Sequence, residues 1–210
     1  MNEIPFPEAL RAQVFERLGK DPPPPPRSGA RFGPLAVALG LQLAFGLGSL
    51  RGNFWLLDRR AILGVSLSLG LLAFATLSVV LTPGRLGLGA TVGWLRLLGV
   101  LAAPLYALCT LLWPLGTFDK EVAAWGCMIG SGVLGVTVVA GLTFALRRAV
   151  PSAIVARAAL IGATGGAWAG FAMHLHCPAC DRSHILFGHV VPIVLLTLGS
   201  AIVLPRWLRP

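Results

Sequence analysis

Six stretches of this chain contain no Asp, Glu, Lys or Arg: residues 32–50, 61–84, 97–118, 122–146, 158–180 and 183–205. Each is about as long as the ~20 residues that an α-helix needs to cross the apolar core of a bilayer. Inside that core every backbone N–H and C=O must find a partner within the protein, which leaves only helices and closed β-barrels. A barrel strand reads as ~10 residues of alternating polarity. Long unbroken apolar runs separated by Pro and Gly do not have that pattern. The chain is 56% hydrophobic and 12% charged, where a soluble domain carries roughly 25% charged residues. The expected fold is an all-α integral membrane protein. It comprises a six-transmembrane-helix bundle over residues 32–210 and a short amphipathic helix in an N-terminal tail over residues 1–31.

A net charge of +9 would suggest nucleic acid in a soluble protein. Here the basic residues lie in ones and twos at the ends of the apolar runs, where they set orientation, so no direct nucleic-acid binding is expected. Counting Lys and Arg over alternate connections puts twelve on one side: Arg11, Arg17, Lys20, Arg27, Arg31, Arg85, Arg96, Arg147, Arg148, Arg157, Arg206 and Arg209. The other side has five, namely Arg51, Arg59, Arg60, Lys120 and Arg182. The positive-inside rule then predicts a multi-pass membrane protein with both termini cytoplasmic. The stretch RGNFWLLDRR, with three arginines on the minority side, runs against this trend.

The first apolar run begins after a tail containing Glu3, Glu8, Glu16 and Asp21, so no cleavable signal peptide is expected. Within the tail, PEALRAQVFERL opens on Pro7 with Glu8 in its first turn and closes at Gly19, which predicts a helix over 7–18. Leu10, Val14 and Leu18 recur every four residues and form one apolar stripe. Twelve residues are marginal alone, so the stripe calls for a partner or a bilayer surface. Pro22 to Pro26 follow as a stiff polyproline spacer.

Within the apolar runs, Gly162, Gly166 and Gly170 repeat every four residues, as do Gly126 and Gly130, and such small faces let helices approach closely. No Asp, Glu, Lys or Arg lies deep in any expected span. That absence argues against a proton-coupled transporter or an ion pump, which need intramembrane titratable groups.

The chemistry is concentrated in HLHCPACDRSHILFGH, residues 174–189. These sixteen residues hold all four histidines and two of the four cysteines. Cys177 and Cys180, with His176 and His184 close by, supply up to four N and S ligands for a soft or borderline metal ion such as zinc. The CPAC spacing equally suits a redox pair, in which one thiolate is stabilised and the other thiol resolves it. A membrane thiol oxidoreductase working through Cys177 and Cys180 would want a second pair, for which Cys109 and Cys127 are the candidates. Cys109 falls near the midplane, where a small buried hydrophobe is the plainer reading. Cys127 falls in the outer half, close enough to the last loop for a pairing or a shared metal with Cys177. His174 and His189 read as interfacial rings at helix ends.

A short amphipathic N-terminal helix opening PEALRAQV, a Pro-rich joint, six apolar runs and a final LHCPACDRSHILFGHVVP before the last helix together resemble the NrsF-type negative regulators. These are membrane anti-sigma factors of extracytoplasmic-function sigma factors. The resemblance implies that the cytoplasmic tail holds the sigma factor, here through Leu10, Val14 and Leu18. It also implies that outer cysteines sense the signal, here Cys177 and Cys127. The tail separates this reading from the enzyme, because an oxidoreductase has no evident use for an amphipathic helix on a polyproline stalk.

Overall fold

The computed structural model describes residues 32–50, 58–81, 90–112, 123–146, 153–179 and 181–208. Six helices account for nearly all of them: α1 (Gly33–Gly48), α2 (Arg59–Leu81), α3 (Ala90–Leu112), α4 (Ala124–Leu146), α5 (Ile154–His176) and α6 (Arg182–Arg206). No strand occurs among the described residues. The predicted tail helix, the polyproline spacer and Cys180 lie outside them.

The expectation of six spans is corrected to four: among the described residues, α2, α4, α5 and α6 are long and apolar enough to cross a membrane, whereas α1 and the Leu97–Leu112 part of α3 count as shorter apolar stretches. Absence of charge measures how far a chain could run through lipid, and helix length is settled by local stops. Pro34 opens α1 in its first turn. After sixteen helical residues Ser49 ends it, with both its backbone N–H and its hydroxyl donating to the Phe45 carbonyl. At ~1.5 Å per residue, α1 covers only about 24 Å.

The fifth apolar run is also displaced relative to its charge-free window, 158–180. The helix begins at Ile154 and takes in Arg157, which is buried, and it ends at His176. Pro178 accounts for the end: the residue before a proline is pushed out of the helical region. Cys177 accordingly has extended backbone angles, φ −73° and ψ 123°.

Helix α5 is the centre of the bundle and touches each of the other five helices. Its small residues permit this. A Cβ at Gly162 would lie 2.1 Å from the Leu196 carbonyl oxygen of α6, and one at Gly166 would lie 2.6 Å from the Cα of Ile193. Gly170 lies against the ring of Tyr106 on α3, whose hydroxyl donates to the Gly170 carbonyl at 2.8 Å. The four-residue glycine repeat of α5 is therefore spent on packing within the chain. In α4, by contrast, Gly126 has nothing within 4 Å of a built Cβ, and Gly130 meets only the Met173 thioether. Gln42 of α1 is buried and donates from Nε2 to the Leu134 carbonyl of α4 at 2.6 Å, which pairs its amide nitrogen in an otherwise apolar seam.

These contacts set the helix directions. Leu35 at the start of α1 meets Gly141, near the end of α4, while Gly46 meets Ala172 near the end of α5. Tyr106, late in α3, meets Gly170 late in α5, and Gly135 of α4 meets Gly165 of α5. Helices α1, α3 and α5 therefore run one way and α2, α4 and α6 the other. Leu35, Leu146 and Leu208 share one core cluster, which puts the start of α1 and the end of α6 at the same end of the bundle. The opposite end carries Cys127, Cys177 and the loop between α5 and α6. The outward faces are apolar, with Leu41, Leu67, Ile129 and Ile202 each more than 60% exposed, as lipid contact requires and water would oppose.

Candidate functional site: a buried cysteine and histidine cluster

Three pieces of chain converge at that opposite end. Cys127 sits in the first turn of α4. Cys177 caps α5, held extended by Pro178, with its N–H on the Met173 carbonyl at 2.7 Å. Asp181 then starts α6 as its N-cap: its carboxylate accepts from the His184 N–H at 2.8 Å, which fixes the turn that carries the His184 ring. The hydroxyl of Ser183 and this backbone N–H hold the Asp181 carboxyl below the usual carboxylate range.

The next turn of α6, Leu186–Val190, is π-helical, and the Val191 N–H reaches the Leu186 carbonyl. Residues five apart in an α-helix point about 140° away from each other. A π turn brings such residues onto one side. The rings of His184 and His189 thereby approach to a centroid distance of 5.7 Å. Ser131 of α4 donates to the Gly188 carbonyl at 3.2 Å and ties this turn to α4. A side chain at Gly188 would press on Cys127 Cβ at 3.1 Å and on His184 Nε2 at 3.4 Å.

The result is a compact buried group. The Cys127 thiol donates to Cys177 Sγ at 3.3 Å, and Cys177 Sγ lies 3.2 Å from His184 Nε2. The ligand atoms of Cys127, Cys177, His184 and His189 all lie within 4.8 Å of one another. The hydrogen bond from Cys127, and then the hydrogen bond and charge of His189, hold the Cys177 thiol well below its ordinary range against the opposing effect of burial. Such a group can bind a soft or borderline metal ion, and its two sulfurs are close enough to be joined by oxidation.

The residues singled out from sequence divide as follows. Cys177 and His184 are in the cluster, together with Cys127. His176 points elsewhere: its Nδ1 is 2.9 Å from both the carbonyl and the hydroxyl oxygen of Ser49, and its ring stacks near Phe45 at 4.6 Å, joining the ends of α5 and α1. His174 is buried on α5. Cys109 packs at the edge of the core between α2, α3 and α5. His189, which reads as an interfacial ring in the sequence, is the fourth member of the cluster. Its five-residue spacing from His184 becomes a signal only once the π turn is known.

Residues 35–209 match the family described as NrsF, negative regulator of sigma F. The chain belongs to the NrsF family. It is thus a member of a family of negative regulators of a sigma factor, and its helices suit a membrane setting. No curated protein and no solved structure matches it. The family match spans the whole bundle and includes all four cluster residues, while Leu10, Val14 and Leu18 precede it.

Proposed function

We propose that this NrsF protein is an inner-membrane anti-sigma factor. It holds an extracytoplasmic-function sigma factor through the Leu10, Val14 and Leu18 stripe of its cytoplasmic tail and releases it on an outer-side signal received at Cys127 and Cys177. The observation that carries the reading is the meeting of these two cysteines, fifty residues apart in sequence, inside a chain that matches a sigma-regulator family over residues 35–209. A buried thiol pair at one end of a helical bundle is a trigger that changes geometry when oxidised or metallated. The shared end of α1 and α6 supports placing both termini on one side, and the excess of Lys and Arg supports a cytoplasmic side.

The signal has a direct route. Helix α6 carries two members of the cluster at its start and packs along α5 down to the opposite end, so a shift at the cysteines is felt where the tail joins the bundle. The tail itself is tested by Val14→Asp. A charge placed in the docking stripe costs on the order of several kcal/mol when buried. Co-purification of the sigma factor with Val14→Asp is expected to fail while the bundle remains folded. Undiminished binding by this variant would move the docking surface elsewhere.

A further inference from the structure

We propose that Cys127, Cys177, His184 and His189 form a resident four-coordinate site for a divalent ion of the zinc type. A tetrahedral ion with Zn–S near 2.3 Å and Zn–N near 2.0 Å requires ligand atoms roughly 3.3–3.8 Å apart. The Cys127–Cys177 and Cys177–His184 separations are 3.3 and 3.2 Å, and every pair in the group is within 4.8 Å. The four ligand atoms are thus already gathered to about the spread that one tetrahedral centre requires.

Three further observations point to an ion. All four side chains are at most 6% exposed, so the site is closed, as structural zinc sites are. Nδ1 of His189 is buried and has no hydrogen-bond partner among the described residues, the condition in which an absent ion is one of the standard explanations. The π turn puts the His184 and His189 rings on the same side of α6, where an ordinary α-helical turn would hold them about 140° apart. The charge also closes: two thiols give up their protons on binding, and two thiolates, two neutral imidazoles and a 2+ ion sum to zero in a buried setting. Two sulfur and two nitrogen donors in tetrahedral array favour zinc, and softer ions such as cadmium compete for the same set.

This donor set differs from the contiguous one that the sequence suggests. It draws on α4, on the cap of α5 and on the first two turns of α6, so the ion would clamp three helices at the end of the bundle that bears the proposed sensor. The assignment rests on the sensor reading for its regulatory meaning but not for binding, which is measured on this protein without any partner.

The test uses the full chain purified in detergent and loaded with zinc or cobalt(II) alone. Wild type and His176→Ala are expected to hold one zinc per chain, and Cys127→Ser and His189→Ala to lose stoichiometric binding. Cobalt(II) is expected to give the intense visible bands of tetrahedral coordination with thiolate charge transfer. His189→Cys keeps four donors and should raise that charge-transfer intensity by about half, as three thiolates replace two, which guards against variants that merely misfold. Substoichiometric zinc in the wild type, zinc content unchanged by Cys127→Ser, or the weak spectrum of octahedral cobalt would each overturn the site. Sigma-factor co-purification, measured separately, decides the functional reading independently of these outcomes.

Discussion

Gly162 is the glycine of α5 whose added Cβ would come nearest to α6, and replacing it by alanine probes the seam along which a signal from the cluster would travel. A Cβ there would stand 2.1 Å from the Leu196 carbonyl oxygen, 2.7 Å from its carbon and 2.7 Å from Ser200 Oγ. Ordinary contact begins at 3.4 Å, so Gly162→Ala requires the two helices to part by roughly 1 Å, a gap that forfeits a quarter to a half of the dispersion energy of the atoms left facing it. The two Leu196 atoms are backbone and cannot swing aside. Overpacking of this kind costs about 1–3 kcal/mol, and here the upper part of that range applies. Alanine returns up to ~1 kcal/mol of helix propensity, so the net loss is about 2 kcal/mol. Gly126→Ala is the control: nothing lies within 4 Å of its Cβ, and the same propensity term leaves it neutral or slightly stabilised. Reversible unfolding in mixed micelles, followed by far-UV circular dichroism, compares the two. Gly162→Ala is expected to unfold well before wild type and Gly126→Ala at or after it. Equal stabilities for the two variants would refute the close α5–α6 packing.

Tyr106→Phe removes the hydroxyl that donates to the Gly170 carbonyl at 2.8 Å; interhelical hydrogen bonds of this kind average ~0.6 kcal/mol and reach about 1.7, so the same unfolding assay should show a smaller loss than Gly162→Ala. Reporter fusions at Pro26 and Pro210 are expected to report cytoplasmic positions at both ends; a periplasmic signal from either would overturn the orientation and the outer-side placement of the cysteines.

The helical class and the membrane character are legible because they depend on composition over twenty-residue windows, which a single sequence states directly. The count of spans is not. It turns on where a helix stops, as α1 does at Ser49, and that is a local matter that charge-free intervals ignore. The glycine repeat of α5 is visible in sequence, but its partners, Leu196, Ile193 and Tyr106, are not, since close approach is a property of two helices. At the site, Pro178 and Asp181 can be read as a helix stop and a helix start, and so the presentation of Cys177 and His184 follows from local rules. The approach of Cys127 to Cys177 is foreshadowed by its depth in α4. What hides His189 is the π turn. With ordinary α-helical periodicity it falls on a different face from His184, and nothing in LFGHV announces the extra residue.

The central claim joins the cysteines at one end of the bundle to a partner held at the other. It is tested most directly by loading the intact protein with its sigma factor, adding a thiol oxidant or cadmium, and measuring the fraction of partner released from wild type and from Cys177→Ser. A two-state bundle shifts only by the difference in ligand affinity between its states, typically ~1–3 kcal/mol or 5–150-fold. The expected result is graded release from wild type within that range and none from Cys177→Ser, with equal binding of the two before treatment. Release from Cys177→Ser to the same extent as from wild type, or no release from either, would contradict it.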